Sequence, residues 1–447
     1  MTKTSYPFKV RHRDVWSIAL PATLAFITEP LAGLVDLIVI GRLGDASLLG
    51  GLVLGTLAFD VIFSLAFFLR LGTAGLVAQA VGSRDPNQGL IHFGRATLLG
   101  LAIGLLLLAL TVPLQWATTF LLGPEPSVAE PLIIYLGVRM WSAPLVLVNF
   151  ALLGWFYGRA AATTGMLLQI IVHGGNIVFS VLFVYGFGWG VSGVAFGTVI
   201  AQLLSALTGL YLVVRHFGGV SVIRKALPLP QLLDSTALWR LFALSRDLMI
   251  RSAALVGVFA FFTAQTAREG AVILAASAVV LKFQMVTAFF LDGQAQAAEQ
   301  LCGKAVGANY RPAFDRAIRL SMGWGFAIGT ALLAFWLLTG PALINLITTS
   351  SDVRAVAHDY LAIGALTAVT GVLPFVMDGV LQGATLNIII RNGMVATFLI
   401  FLVAALILQP LFGLNGLWAA LHLFFIARGI IFWFAVRWKT PVLFPSS

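Results

Sequence analysis

Five side chains in the first half of this sequence stand where polar chemistry is costly. Glu29 and Asp36 lie in the run "LPATLAFITEPLAGLVDLIVIG" (20–41), and Asn176, Ser180 and Thr198 lie in later runs of small and branched apolar residues. A carboxylate at membrane depth must be paired, hydrated or protonated. Glu29 and Asp36 are seven residues apart, so a helix carries them on one face, about 10 Å apart along its axis. Pro30, between them, removes one backbone hydrogen bond and invites a kink. Two readings are open. Either a neighbouring span neutralises the acids and they add packing specificity, or a desolvated acid loads and releases a proton, or trades it for a cation, as access alternates.

Asn176 and Ser180 are i, i+4 partners on one helical face, while Thr198 is equally able to bond its own backbone or to glue helices together. Gly174, Gly175 and the glycines between 186 and 197 read as close-packing and turn positions. The second half carries Asp292 in "FFLDGQAQAAEQ" (289–300), Asp378 in "FVMDGVLQGAT" (375–385), and Gln265 and Lys282 in its first two spans. The two Asp-Gly pairs are either functional acids or helix stops at the interface, and Lys282 is a candidate counter-charge. Asp60 and Arg70, ten residues apart, are too far apart for a helical pair, so each needs a partner elsewhere. His173 and His422 read as polar core histidines, since no further ligand spacing accompanies them.

The elements that must hold these residues are helices in a bilayer. The chain has 447 residues, is 60% hydrophobic and only 10% charged, with a mean hydropathy of +0.99. A soluble protein is nearer a quarter charged. Apolar stretches of 18 or more residues recur from end to end, each long enough to cross a bilayer core, and the alternating short segments of a β-barrel are absent. The expected fold is all-α, a polytopic membrane protein with spans at about 15–40, 49–80, 97–121, 131–156, 163–185, 191–214, 248–268, 272–298, 316–339, 353–381, 393–411 and 414–436. The single cysteine, Cys302, excludes an intrachain disulfide, and no zinc or haem-attachment spacing is present. The uninterrupted first run, with Pro21 and two acids, reads as a retained helix rather than a cleaved signal.

A net charge of +10 and a pI near 10.2 fit positive-inside topology better than nucleic-acid binding. Of 27 Lys/Arg, 21 fall on the side of the N-terminus, counting Arg251 with the long polar connection and Arg428 with the C-terminal end; three fall on the other side and three inside spans. The connection from 215 to 247 contains two prolines and an amphipathic patch around Leu238 to Leu244. It divides the chain into an N-lobe (1–214), a cytoplasmic linker (215–247) and a C-lobe (248–447). "AVGSRDP" at 80–86 and "AVGANYR" at 305–311 are 225 residues apart, and "GVSGVAFG" at 190–197 and "GLNGLWAA" at 413–420 are 223 apart. Two repeats of six spans each have the same orientation, related by an axis along the membrane normal.

The stretches at 19–44, 67–82, 261–285, 290–307 ("FLDGQAQAAEQLCGKAVG") and 377–394 ("MDGVLQGATLNIIIRNGM") resemble the multidrug and toxic compound extrusion (MATE) family, specifically its DinF branch. The resemblance implies twelve helices in two pseudo-symmetric six-helix lobes, V-shaped about a central cavity, in a monomer of the bacterial inner membrane. It implies export of lipophilic or cationic small molecules in exchange for H+ or Na+, by alternating access, with no cofactor and no enzymatic activity. Asp36 matches the first-helix aspartate that the family uses for coupling, and Asn176 and Thr198 match its polar partners; a coupling Na+ would sit at these three. Ser180 is a departure, because many prokaryotic members of the branch carry a second aspartate there, and Glu29 is the candidate to supply the missing charge. Asp378 matches a tenth-helix aspartate of other branches, whose seventh-helix glutamate is not present in "FFTAQTA" (261–267). The alternative is a lipid-linked precursor flippase of the related superfamily, which would want a cationic cavity; the embedded charges here are mostly acidic.

The charge asymmetry places both termini in the cytoplasm. Membrane-impermeant labelling of tags at Met1 and Ser447 in intact cells is expected to fail and to succeed only after permeabilisation; labelling of intact cells would refute the topology.

Overall fold

The computed structural model describes residues 5–227, 229–232 and 234–445, without the side chains of Leu229 and residues 237–245. The amphipathic patch around Leu238 to Leu244 therefore lies largely outside the described side chains. Among the described residues there is no strand, and twelve helical stretches are long and apolar enough to cross a membrane: His12–Gly41, Ala46–Gly82, Pro86–Ala109, Pro126–Gly158, Ala162–Gly186, Gly190–Phe217, Arg246–Arg268, Ala271–Gly307, Arg311–Ile347, Ser351–Gly383, Asn387–Phe412 and Leu414–Leu443. They are called here the first to the twelfth span.

Every expected span is present, and most differences lie at the ends. The third span begins at Pro86, eleven residues before the expected start, and stops at Ala109; the remainder of the expected stretch is a separate helix, Thr111–Leu122. Proline at the first helical position costs no hydrogen bond, and the Asp85 carboxylate accepts from the Gln88 amide at 3.0 Å. The eighth span runs on to Gly307 because its polar second half, including Gln296, Glu299 and Gln300, is buried in protein rather than facing lipid. At the loop before the second span, the Asp45 carboxylate accepts from the amide and hydroxyl of Ser47 at 2.8 and 2.6 Å, which holds it below the usual carboxylate range. The connection after the sixth span contains the helix Val220–Ala226, and the seventh span continues a helix that starts at Ser235.

The contacts divide the chain into two units. The N-unit comprises Leu24–Val81 and Asp85–Phe242, and the C-unit comprises Met1–Thr23, Gly82–Arg84 and Ala243–Ser447. The first span is thus shared between them. In the C-unit the segment before it is tied down: the Tyr6 amide donates to the Ala308 carbonyl at 2.9 Å, and the ammonium of Lys304 lies 4.6 Å from the centre of the Phe8 ring. The C-unit core collects Phe262, Phe283, Trp336, Phe401, Trp418 and Phe424, and the N-unit has a core around Val39, Leu52, Leu132, Tyr135 and Val194. Many large apolar side chains point outward, such as Leu338 and Leu346, as a lipid-facing surface requires.

The internal repeat is written into the backbone. The second to fifth spans begin at 46, 86, 126 and 162, and the eighth to eleventh at 271, 311, 351 and 387, an offset of 225 in every case. Among the described residues, the four non-glycine residues with positive φ obey the same offset: Arg84 with Asn309, and Ala160 with Thr385. Each sits in the same corner, closed by an amide five residues ahead of its carbonyl: Asp85 to Ala80, Tyr310 to Ala305, Ala161 to Phe156 and Leu386 to Leu381, at 2.9–3.1 Å.

The packing repeats too. A methyl group on Gly154 or Gly158 of the fourth span would lie 2.6 Å from the backbone oxygen of Arg70 or Ala74 of the second. In the C-unit, Gly379 and Gly383 of the tenth span press in the same way on the carbonyls of Ala295 and Glu299 of the eighth, again 225 residues on. Small residues four apart let two backbones touch where lipid supplies no hydrophobic drive.

A side chain at these four positions would force two backbones apart. Gly154→Ala and Gly379→Ala are each expected to cost about 1–3 kcal/mol, while Gly174→Ala, whose surroundings are open, should not destabilise. Thermal unfolding in detergent measures this; equal melting temperatures for all three would overturn the packing argument.

Candidate functional site

The N-unit brings the polar residues of three spans together. The fifth and sixth spans approach closely because Gly197 lies against Ser180, where an added methyl would be 2.8 Å from the Ser180 nitrogen. Asn176, Ser180 and Thr198 are all buried at this contact. The Asn176 amide nitrogen donates to the Thr198 hydroxyl at 2.7 Å and to the Ser180 hydroxyl at 3.3 Å. Thr198 in turn donates to the Val194 carbonyl at 3.1 Å. Just past Ser180 the fifth span widens into a π-helical turn, Leu182–Gly186, an irregularity that re-aims side chains and recurs at functional sites. From that turn the Tyr185 hydroxyl donates to the Val39 carbonyl at 3.2 Å and pins the end of the first span.

This pin sets Asp36, half-buried on the first span, beside Ser180 and Asn176. Two acceptors there are buried without a hydrogen-bond partner among the described residues: Asp36 Oδ1 and Asn176 Oδ1. Arg139 of the fourth span lies within electrostatic reach of Asp36, Asp60 and His173. Its guanidinium lies 4.0 Å from the centre of the Phe59 ring, and it donates to the Ser142 hydroxyl at 3.0 Å. The arrangement thus brings one carboxylate oxygen and one amide oxygen, both without a hydrogen-bond partner among the described residues, into one group of side chains.

Glu29 is not drawn into this group. The charges within its electrostatic reach are Asp60 and Arg70. Arg70 is buried among the rings of Phe67, Phe26 and Tyr157, at 4.3, 4.8 and 5.4 Å from their centres. Asp60 and Arg70 thus each find surroundings away from the other's helix turn, as their spacing requires.

The polar residues of the second half separate. Asp378 is buried and its Oδ2 accepts from two guanidiniums, Arg251 at 2.6 Å and Arg428. Lys282, offered as a counter-charge, is exposed and does not pair with Asp378. An exposed lysine keeps its ammonium at the surface, whereas a planar guanidinium suits a buried carboxylate. Asp292 and Glu299 lie within electrostatic reach of Arg251, so the eighth span contributes two acids to the same network. Gln265 is buried on the seventh span, fourteen residues beyond Arg251 and so about 21 Å along that helix. Arg251 and Arg428, counted above with the loops, both lie inside spans and pair with Asp378, Arg428 buried and Arg251 half-buried. The position of Arg428, mid-way along a continuous apolar run, was the available signal. Arg139 carried the same signal.

His422 is a core histidine: its two ring nitrogens meet the Thr370 hydroxyl at 3.0 Å and the Ile363 carbonyl at 2.9 Å. Among the described residues no group of three or more His, Cys, Asp or Glu could hold a metal ion.

Comparison with known proteins agrees with this architecture. The pattern of the MatE family matches residues 21–182 and 248–411. The chain is 34% identical over 426 residues to the DNA damage-inducible protein F of Escherichia coli (strain K12), covering 94% of this chain and 90% of that protein. It is 22% identical to the multidrug export protein MepA of Staphylococcus aureus (strain MSSA476), covering 90% of this chain and 88% of that one. Among solved structures it superimposes on an outward-facing multidrug resistance MATE family transporter of the MOP superfamily with a TM-score of 0.87, at 19% identity and 97% coverage of both chains. With twelve spans, matched segments in both halves and a relative similar over nearly its whole length, the chain belongs to the MATE family of membrane transporters and is not an enzyme.

Proposed function

We propose that this transporter is a secondary active antiporter of the bacterial inner membrane, with both termini cytoplasmic. It exports lipophilic or cationic small molecules in exchange for an inward-moving cation. The reading rests on one observation above the rest: beside Ser180 and Asn176, Asp36 Oδ1 and Asn176 Oδ1 are buried acceptors without a hydrogen-bond partner among the described residues. A proton on Asp36 supplies that donor and removes a charge from an apolar setting. The single carboxylate, with Ser180 where a second acid would stand and Arg139 nearby, favours H+ over Na+ as the coupling ion. Sodium would need further oxygen ligands, and the Thr198 hydroxyl already accepts from Asn176 and donates to Val194.

Loading Asp36 from outside changes what the first span can pack against, and Pro30 gives it a place to bend. Cargo and proton each favour a different state, and that difference couples them. In this scheme Asn176, Ser180 and Thr198 are positioning groups that hold Asp36 in its proton-accepting orientation. Glu29 acts mainly on Asp60 and Arg70, of which Asp60 also lies within electrostatic reach of Arg139. Asp378, held between two arginines, serves stability rather than ion exchange.

Efflux of a fluorescent lipophilic cation from proteoliposomes, with proton and sodium gradients imposed separately, tests the scheme. Wild-type protein should respond to the proton gradient, and Asp36→Asn should lower that rate at least tenfold while remaining folded, because it removes a charge. Wild-type rates in Asp36→Asn would refute the coupling role. Glu29→Gln is expected to keep at least half of the coupled rate; a loss as deep as that of Asp36→Asn would make Glu29 the second coupling acid. Asp378→Asn should act through stability, lowering it by about 3–5 kcal/mol because the buried Arg428 and half-buried Arg251 guanidiniums lose the carboxylate they share. A variant with an unchanged melting temperature and lost transport would instead place Asp378 in the ion path.

A further inference from the structure

Where the first turns of the ninth span meet the last turns of the twelfth, the C-unit has a cleft of about 550 Å³. Its mouth is basic: Arg311, Arg319 and Arg437 line it, against one carboxylate, Asp315. That carboxylate pairs with Arg311 at 3.5 Å, and among the described residues neither Arg319 nor Arg437 has a carboxylate within ion-pair distance. Two exposed guanidiniums are thus left over on facing helices. The rest of its lining is largely apolar, with Ile318 and Met322 on the ninth span and Val436 and Trp433 on the twelfth, and along their helices Met322 and Trp433 lie furthest from the Arg311 end. The Arg437 guanidinium sits 4.8 Å from the Trp433 ring centre, which fixes it over the cleft. At the same end, the Phe314 and Phe444 rings, 5.3 Å apart, tie the two helices together so that the cleft is a built feature.

We propose that this cleft binds one anionic phospholipid from the leaflet on the side where the chain's lysines and arginines collect. The order of the groups along the spans matches a lipid's own order. From Arg311 to Arg319 the helix climbs about 12 Å, and to Met322 about 4.5 Å more. A phosphodiester reaches Arg319 and Arg437 while glycerol and the first acyl carbons lie on Met322 and Trp433. Guanidiniums bind phosphate oxygens bidentately, tryptophan prefers the headgroup level, and basic pockets between spans suit anionic headgroups. A soluble anion would use the arginines and leave the apolar half without purpose. The site is remote from Asp36 in sequence and in function, and it stands whether or not that residue carries the coupling proton.

Native mass spectrometry of the purified full-length protein, titrated with phosphatidylglycerol or with phosphatidylcholine of the same acyl chains, tests this. Wild-type protein should retain one phosphatidylglycerol with about tenfold preference. Arg319→Gln with Arg437→Gln should bring binding down to the phosphatidylcholine level. Met322→Trp, which fills the apolar half and leaves every charge in place, should lower the occupancy of phosphatidylglycerol. The two arginines are exposed and the Arg311–Asp315 pair is untouched, so the double variant should keep the wild-type melting temperature; if it does not, each single arginine variant is read in its place. No preference for phosphatidylglycerol in the wild type, or an unchanged preference in both the arginine and the Met322 variants, would overturn the proposal. Displacement by millimolar inorganic phosphate would overturn it as well, by making the occupant a soluble anion.

Discussion

Backbone contact at glycine sets the geometry on which the rest of this transporter depends. In hydrocarbon two helices gain nothing from excluding water from each other, so close packing and polar pairing must hold them. The second span can lie against the fourth only because Gly154 and Gly158 present no side chain to the carbonyls of Arg70 and Ala74. The carbonyls of Ala295 and Glu299 make the same demand of Gly379 and Gly383. These contacts position Arg70 among its rings in one unit and the eighth-span acids beside Arg251 in the other. Polar groups in both places are thus held by contacts that contain no polar side chain.

On that shared backbone the two halves carry different chemistry. The 225-residue offset takes Asp36 to Phe261 and Asn176 to Phe401. Those two phenylalanines pack edge to face at 5.8 Å in the C-unit, where the N-unit has its acid and amide. Applied in reverse, the offset takes Arg251 and Asp378 to Phe26 and Leu153. The Asp36–Asn176 group of one half and the Arg251–Asp378 pair of the other thus fall where the opposite half carries apolar side chains. Aromatic and aliphatic groups can fill such a position at little cost, whereas an unpaired charge cannot. This explains how a duplicated frame can lose a polar centre in one copy without losing the fold.

Most of the architecture was legible in the sequence because lipid imposes a coarse and unambiguous code. All twelve spans showed as apolar runs, and the repeat showed in two short motifs. The span ends were less legible, because hydropathy registers lipid exposure and cannot tell a polar residue in water from one buried in protein. Gln296, Glu299 and Gln300 extended the eighth span for that reason. The grouping of Asn176, Ser180 and Thr198 followed from helical spacing and matching depth. The partners of Asp378 did not, since a carboxylate's counter-charge is chosen in three dimensions. Arg251 and Arg428 come from spans separated from it by more than a hundred and by fifty residues of sequence respectively. Arg139, one of the three charges counted inside spans, was not tied to the site, because an arginine stacked on Phe59 looks, in sequence, like any charge interrupting a span.

The one cysteine of the chain has an experimental consequence. Cys302 is fully enclosed in the eighth span, and thiol reagents attack an accessible thiolate. The natural sequence is in effect already silent to maleimide chemistry. Reporter cysteines placed on the exposed ends of any two spans can be labelled without first replacing Cys302. Paired spin labels or fluorophores can then follow distances during the transport cycle in protein whose own packing has not been altered.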